Sequence, residues 1–261
     1  MVECDPEWPR AVSIQLALII GIVALIPVGF LVRKRFRDAP HPFPVDIAGQ
    51  YDLNEVGRRY LAFRAEHKGR EDGRSSSRFI LSHLSAGADR ALVDVGCGGG
   101  DELVAYRELG FATAQGVECS EVMAAAARQR LGDASAIHAG SWSSIPFADD
   151  SQDYLVGRAS LHYEEDLDQA YREAARVLKP GGMLIVVVGH PDNTANRGTV
   201  SRGGRRYVQL KLFQDRVPVT YPLHTVDDYL SPTFAEHFEL VERQDIGQTK
   251  PNKLAIAART R

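Results

Sequence analysis

Val93-Asp94-Val95-Gly96-Cys97-Gly98-Gly99-Gly100 puts an acidic residue and a glycine-rich run directly after a short apolar stretch, and Glu118 closes the next apolar stretch. A glycine loop between a strand and a helix leaves no side chains to hold a ligand off the backbone, and a carboxylate ending the following strand can accept hydrogen bonds from ribose hydroxyls. These residue types in this order point to recognition of a nucleoside.

The spacing separates two nucleoside chemistries. A dinucleotide fingerprint needs Gly-x-Gly-x-x-Gly, but counting from Gly96 meets Asp101 at the last glycine position and counting from Gly98 meets Leu103. An anion at the start of the helix also opposes a pyrophosphate, which helix N-termini otherwise attract. The pattern Asp94-x-Gly96-x-Gly98-x-Gly100 instead resembles motif I of the class I S-adenosylmethionine-dependent methyltransferases, whose cofactor is cationic at sulfur and carries no phosphate. Further segments share the resemblance: Gly116-Val117-Glu118-Cys119-Ser120-Glu121-Val122-Met123, Gly140-Ser141-Trp142-Ser143-Ser144-Ile145-Pro146-Phe147, Asp150-Ser151-Gln152-Asp153-Tyr154, Leu161-His162-Tyr163, and Ala174-Ala175-Arg176-Val177-Leu178-Lys179-Pro180-Gly181-Gly182. It covers residues 50–260.

What the resemblance implies is a site for S-adenosylmethionine formed by Asp94, Gly96, Cys97, Gly98, Gly100, Glu118, Cys119, Ser120, Met123, Ser141 and Trp142. The glycines admit the cofactor, Glu118 binds the ribose, Asp94 orders the loop or meets the amino-acid end, and Met123 packs on adenine. Asp94 also reads as a strand-end turn residue, and Met123 as plain core. Ser141 stands where the family commonly has the Asp that binds the adenine amino group, so Ser141 or Trp142 must meet the base differently. Methyl transfer needs a base only where the acceptor must lose a proton; His162, after the fourth strand, is the catalytic candidate because an imidazole titrates near neutrality. Tyr163, Glu164, Glu165 and His190 follow it.

These residues need a scaffold that places them together. Apolar runs at 91–95, 112–117, 136–138, 154–157 and 183–188 alternate with helical patterns at 101–109, 121–131 and 167–178, which implies α/β architecture. The expected fold is a Rossmann-like, doubly wound, mostly parallel seven-stranded sheet ending in an antiparallel hairpin of 238–246 and 252–258, preceded by one transmembrane helix. Residues 51–84 read as one or two helices broken around 69–77, and the resemblance implies that this segment caps the cofactor pocket, with Tyr51, Tyr60 and Arg64 as candidates. Residues 190–225 break the alternation and are expected to be a substrate lid. Within them, Arg202-Gly203-Gly204-Arg205-Arg206 lacks the aromatic company of an RNA-binding motif.

The chain has 261 residues, 44% of them hydrophobic, enough for one sizeable core at 51–261. Residues 11–32 carry no charge, and 22 residues of helix span about 33 Å, the width of a bilayer core. Residues 1–10 have net charge −2, whereas Arg33, Lys34, Arg35 and Arg37 add +4 immediately after the apolar run. The positive-inside rule then puts 1–10 outside and the catalytic domain on the cytoplasmic side of a single-pass membrane protein, joined by a Pro-rich linker at 33–50. The acidic remainder argues against a nucleic-acid partner. Three cysteines form no disulfide framework, and no His/Cys/Asp cluster has metal spacing. The leading expectation is a membrane-anchored methyltransferase acting on a small hydrophobic molecule, lipid- or quinone-like. A non-catalytic membrane scaffold with this fold and a dinucleotide-dependent oxidoreductase are the alternatives.

Overall fold

In Leu92–Val95 (β1) every residue is buried, which is the pattern of a strand covered on both faces. Successive side chains of such a strand must feed two separate cores. Val93, Val95, Leu155, Leu184, Val186 and Val188 meet in one apolar cluster, and Leu92, Tyr154, Val156, Ile185 and Val187 meet in the other. The helix Leu167–Val177 covers the first face with Leu167, Ala170, Tyr171, Ala174 and Val177, one apolar stripe at helical spacing. Asp166 caps its start by accepting from Gln169 N–H at 2.9 Å. The helices Glu71–Ser82, Asp101–Glu108 and Glu121–Leu131 cover the second face through Phe79, Ile80, Leu103, Tyr106, Ala124 and Ala127.

The computed structural model describes residues 47–53, 56–66, 71–193, 198–212, 217–247 and 250–261. The 11–32 segment expected to cross the membrane lies outside the described residues, as does most of the 33–50 linker. Among the described residues no helix is long and apolar enough to cross a membrane. The first described helix, Ile47–Leu53, begins within the stretch read as the end of the linker, and Val56–Glu66 follows it.

Strands β2 (Gln115–Glu118), β3 (Ile137–Ala139), β4 (Gln152–Arg158) and β5 (Leu178–Gly189) continue the alternation, then β6 (Gly198–Arg202), β7 (Arg205–Leu212) and β8 (Val217–Pro222), and finally β9 (Phe238–Ile246) and β10 (Lys253–Thr260). The seven-stranded sheet has the order β3-β2-β1-β4-β5-β10-β9. Its first five members are parallel, and β10 runs antiparallel to both β5 and β9. This is the expected α/β sheet with its terminal hairpin.

Four local expectations are corrected. Residues 71–77, read as part of a break, belong to the helix Glu71–Ser82, where Ser76, Phe79 and Ile80 are buried. The second strand starts at Gln115 rather than at 112, because Ala114 N–H closes a turn onto Phe111 O at 3.2 Å. Strand β5 begins at Leu178, pairs with Gln152, bulges through Lys179–Gly182 and resumes at Met183 opposite Tyr154. Residues 190–225, read as a segment outside the alternation, have structure of their own: β6, β7 and β8 form a separate antiparallel sheet. Its Arg-rich cluster is a hairpin end, in which Arg202 pairs with Arg205 across Gly203 (φ 54°) and Gly204 (φ 80°). Two consecutive left-handed residues make the turn that matches strand twist, and glycine adopts them without strain.

The glycine loop and the helix Asp101–Glu108 pack directly on β2 because Gly116 has no side chain, and an added Cβ would lie 2.5 Å from Cys97 Sγ and 2.9 Å from Leu103 Cδ1. Gly116→Ala is expected to lower stability by about 1–3 kcal/mol, the usual cost of overpacking a filled core. A shift of the urea midpoint at unchanged slope measures it; an unshifted midpoint contradicts the packing described.

Candidate functional site

The glycine loop is fastened to the end of β2. Gly96 N–H and Cys97 N–H both donate to Val117 O, at 2.8 and 3.1 Å. One residue further, Glu118 Oε2 accepts from Gly98 N–H at 2.8 Å and Oε1 from Ser120 N–H at 2.9 Å. Burial pushes the Glu118 carboxyl up, and these amides pull it back. An ionised carboxylate has about four acceptor positions, so two of these bonds leave capacity for a ligand. Gly96, at φ +76°, has no room for a side chain: a Cβ would fall 2.3 Å from Ser160 Cβ.

A cavity of about 320 Å³ opens above this loop. Gly96, Gly98, Glu118, Cys119, Met123, Ser141 and Trp142, all expected from sequence, line it. The other expected residues lie beneath or beside it. Cys97 turns its thiol into the core against Gly116 and Leu103, where burial raises its pKa, so only its backbone serves the loop. Gly100 begins the helix Asp101–Glu108 against Ala127. Ser120 is buried, caps the helix Glu121–Leu131 by accepting from Met123 N–H, and donates to Asp52 Oδ1 at 2.5 Å. Asp94 is buried, and its carboxyl is held well above the usual range by desolvation and by Glu102, with Arg158 opposing.

The far wall is a tight turn. Ser141 and Ser144 exchange backbone hydrogen bonds at 3.2 Å, and Ser141 Oγ accepts from Ser143 N–H at 3.2 Å. Trp142 Nε1 donates to Ser160 Oγ at 3.0 Å, which itself donates to Val95 O at 2.6 Å. Glu164 reaches the turn from the segment after β4: its Oε1 accepts from Trp142 N–H at 3.2 Å and its Oε2 from Ser143 Oγ–H at 2.5 Å. Burial raises the Glu164 carboxyl as well.

His162 does not line this cavity, whereas its neighbours Tyr163 and Glu164 do. The three lie in or just after the 3₁₀ turn Leu161–Tyr163, where successive side chains diverge by roughly 120°. His162 is therefore directed to the small sheet, its ring 4.6 Å from that of Tyr221 and 4.4 Å from that of Tyr163. His190, another candidate base, is buried beside Asp245 at the β9 edge, 3.4 Å from its carboxylate.

The roof comes from the N-terminal helices. Tyr51 and Tyr60 line the cavity and meet edge to face at 6.3 Å, and Tyr51 OH and Tyr163 OH are hydrogen-bonded at 2.9 Å. Burial pushes all three hydroxyls up, so they stay neutral. Gln50 exchanges two hydrogen bonds with the backbone of Thr220 in β8, at 2.9 and 3.3 Å, which ties the roof to the small sheet. Arg64 binds Glu102 at 2.9 Å and Asp101 at 3.8 Å, and Arg158, on the cavity wall, also bonds Glu102. With Asp101 paired to Arg64 and Arg130, the third-glycine position of a dinucleotide loop holds a fixed carboxylate.

Arg158, Ala159 and Ser160 were not singled out from sequence. Their signal was position: they follow directly on β4, and ligands of open α/β sheets bind beyond the carboxyl ends of the strands. Ala159 also has φ 57°, a left-handed conformation that costs a non-glycine residue energy and clusters at functional sites.

A crevice at the carboxyl ends of parallel strands, where the order turns back between β1 and β4, is where such sheets take nucleoside-type cofactors. This chain is of that class. A methyltransferase-domain family model matches residues 93–186. Over 192 residues the chain is 34% identical to Methyltransferase GfsG of Streptomyces halstedii, covering 71% of this chain and 66% of that protein. With Demethylmenaquinone methyltransferase of Geobacillus kaustophilus it shares 30% identity over 147 residues, covering 53% of this chain and 58% of that protein. The fold agrees with the S-adenosylmethionine-dependent methyltransferase of Mesorhizobium loti, with a TM-score of 0.56 at 23% identity over 69% of this chain and 95% of that one. The chain thus spans at most 66% of the curated relatives' length given above. Residues 93–186 thus carry a methyltransferase domain, and the structural neighbour that shares its fold is named as S-adenosylmethionine-dependent.

His224 braces the far wall from behind, its Nε2 2.8 Å from Glu164 O, and burial depresses its pKa from 6.5 to about 4. The unfolded chain takes up a proton between these values that the folded chain refuses. Its contribution to stability is complete above pH 6.5 and lost as pH falls toward 4. His224→Gln is expected to flatten the decline of unfolding free energy between pH 7 and 5, measured by urea titration; parallel slopes in both proteins refute the burial effect.

Proposed function

We propose that the protein is a membrane-anchored S-adenosylmethionine-dependent methyltransferase, with its domain on the cytoplasmic side and a small hydrophobic acceptor, lipid- or quinone-like. The observation that carries methyl transfer is the cavity over Gly96 and Gly98 with the Glu118 carboxylate on its wall. Support for the anchor comes from the uncharged 11–32 run and the basic residues after it. Three aromatic rings at the roof, and a relative named for demethylmenaquinone, support a hydrophobic acceptor.

S-adenosylmethionine supplies a methyl group on a sulfonium, a leaving group that needs no activation. The chain's own work is alignment and exclusion of water. Gly96 and Gly98 let the ligand approach the backbone, and Glu118 accepts from the ribose. Arg158, on the cavity wall, faces the amino-acid end, and buried Asp94 orders the loop from beneath. Neutral Tyr51, Tyr60 and Tyr163 turn aromatic surface to the cationic side, a favourable arrangement for a desolvated cation.

Glu118→Ala is expected to weaken binding of S-adenosylmethionine and its demethylated product about tenfold or more, the worth of one charge-assisted hydrogen bond. Calorimetry on the purified protein measures this, and unchanged affinity removes the ribose assignment. For the anchor and acceptor together, the full chain should stay in the membrane pellet after high-salt and alkaline washes and transfer labelled methyl to organic-extractable material. Release by either wash, or label found only in water-soluble products, argues against the corresponding half of the proposal.

A further inference from the structure

We infer that Glu164 reads the base of the cofactor, accepting a hydrogen bond from the exocyclic amino group of adenine in place of a carboxylate on the Ser141 turn. This rests on the cofactor reading above. The amino group is a donor, and burying it without an acceptor is costly. Two carboxylates line the cavity among the described residues, Glu118 and Glu164. Glu118 is committed to the loop and to the ribose.

The ribose position fixes the sides. From Glu118 at the end of β2, the glycine loop after β1 lies one way and the turn after β3 lies the other, so the base falls toward Cys119, Met123 and the Ser141–Trp142 turn. Glu164 is on that side: it bonds both Trp142 and Ser143 of the turn, and it stands close enough for its charge to help raise the Cys119 thiol. Those bonds occupy one acceptor position on each oxygen and leave one more on each. The carboxylate is also held in place before any ligand arrives. His224 Nε2 lies 2.8 Å from the Glu164 carbonyl, and Arg205 Nη1 pairs with the adjoining Glu165 at 3.0 Å. Ser141 Oγ, by contrast, is an uncharged and therefore weaker acceptor that is already engaged once within its own turn.

The test uses the full-length protein and two probes, S-adenosylhomocysteine and S-inosylhomocysteine, in which a carbonyl oxygen replaces the amino group. The wild-type protein should prefer the adenosine compound by about tenfold or more, and Glu164→Ala should bring the two within about twofold, mainly by weakening the adenosine compound. Ser143→Ala, which removes a contact to Glu164 but leaves its carboxylate, should keep the wild-type preference. Where Glu164→Ala does not fold, Glu164→Gln serves, because its amide can still accept from Trp142 N–H while offering a donor to the inosine oxygen; the preference should fall or invert. A preference equal to wild type in the Glu164 variants, or none in the wild type, overturns the inference while the cofactor reading stands. Failure of the wild type to bind S-adenosylhomocysteine overturns both.

Discussion

The site depends on one carboxylate that is shared between two backbone segments. Glu118 accepts from the amides of Gly98 and Ser120, so the end of β2 holds the glycine loop on one side and the start of the helix Glu121–Leu131 on the other. A loop with left-handed residues at Gly96, Gly98 and Gly100 has many conformations in isolation. The bonds that Gly96 and Cys97 N–H donate to Val117 O and that Gly98 N–H donates to Glu118 Oε2 select among them and leave the carboxylate lining the cavity. In the proposed function, structural and binding duties fall on one side chain, which is why it is buried with two backbone donors and still has acceptor positions open to the cavity.

Around that anchor point the walls are interlocked. Trp142 bonds Ser160, Ser160 bonds Val95 at the end of β1, and Glu164 bonds the backbone of Trp142. Strand ends β1, β3 and β4 are joined by side chains there, where no sheet hydrogen bonds remain to join them. The roof is coupled in the same manner, through Gln50 to β8 and through Tyr51 to Tyr163. The N-terminal helices and the small sheet, far apart in sequence, therefore form one cover.

The sheet and the floor of the site were legible in the sequence because both rest on strict spacing. Burial of both faces of β1, β4 and β5 leaves continuous apolar runs, and Asp94-x-Gly96-x-Gly98-x-Gly100 marks a loop whose left-handed positions favour glycine. What escaped depended on contacts that spacing does not carry. Residues 71–77 look like a loop because Gly73 and three serines have weak helix preference, yet Ser76, Phe79 and Ile80 bury one face of that helix. In β7, the neighbours Tyr207 and Val208 are both buried, so no clean two-residue period announces a strand. The exchange of His162 for Tyr163 and Glu164 at the cavity turns on a 3₁₀ turn of three residues, too short to leave a periodic mark. The short helices Val226–Tyr229 and Pro232–His237 did leave signs, a capping box of Thr225 with Asp228 and a Ser231-Pro232 start.

The two borders of the main sheet meet solvent by different means. At one end β3 has only three residues, too few to template another strand. At the other, β9 is nine residues long and Glu239 to Asp245 are all exposed. A strand of that length would invite a foreign strand onto its free amides and carbonyls, but Glu239, Glu242, Arg243 and Asp245 stud it with charge of both signs. Brevity on one side and charge on the other keep the sheet finite, so crowding of many such domains on one surface need not end in their fusion into a shared sheet.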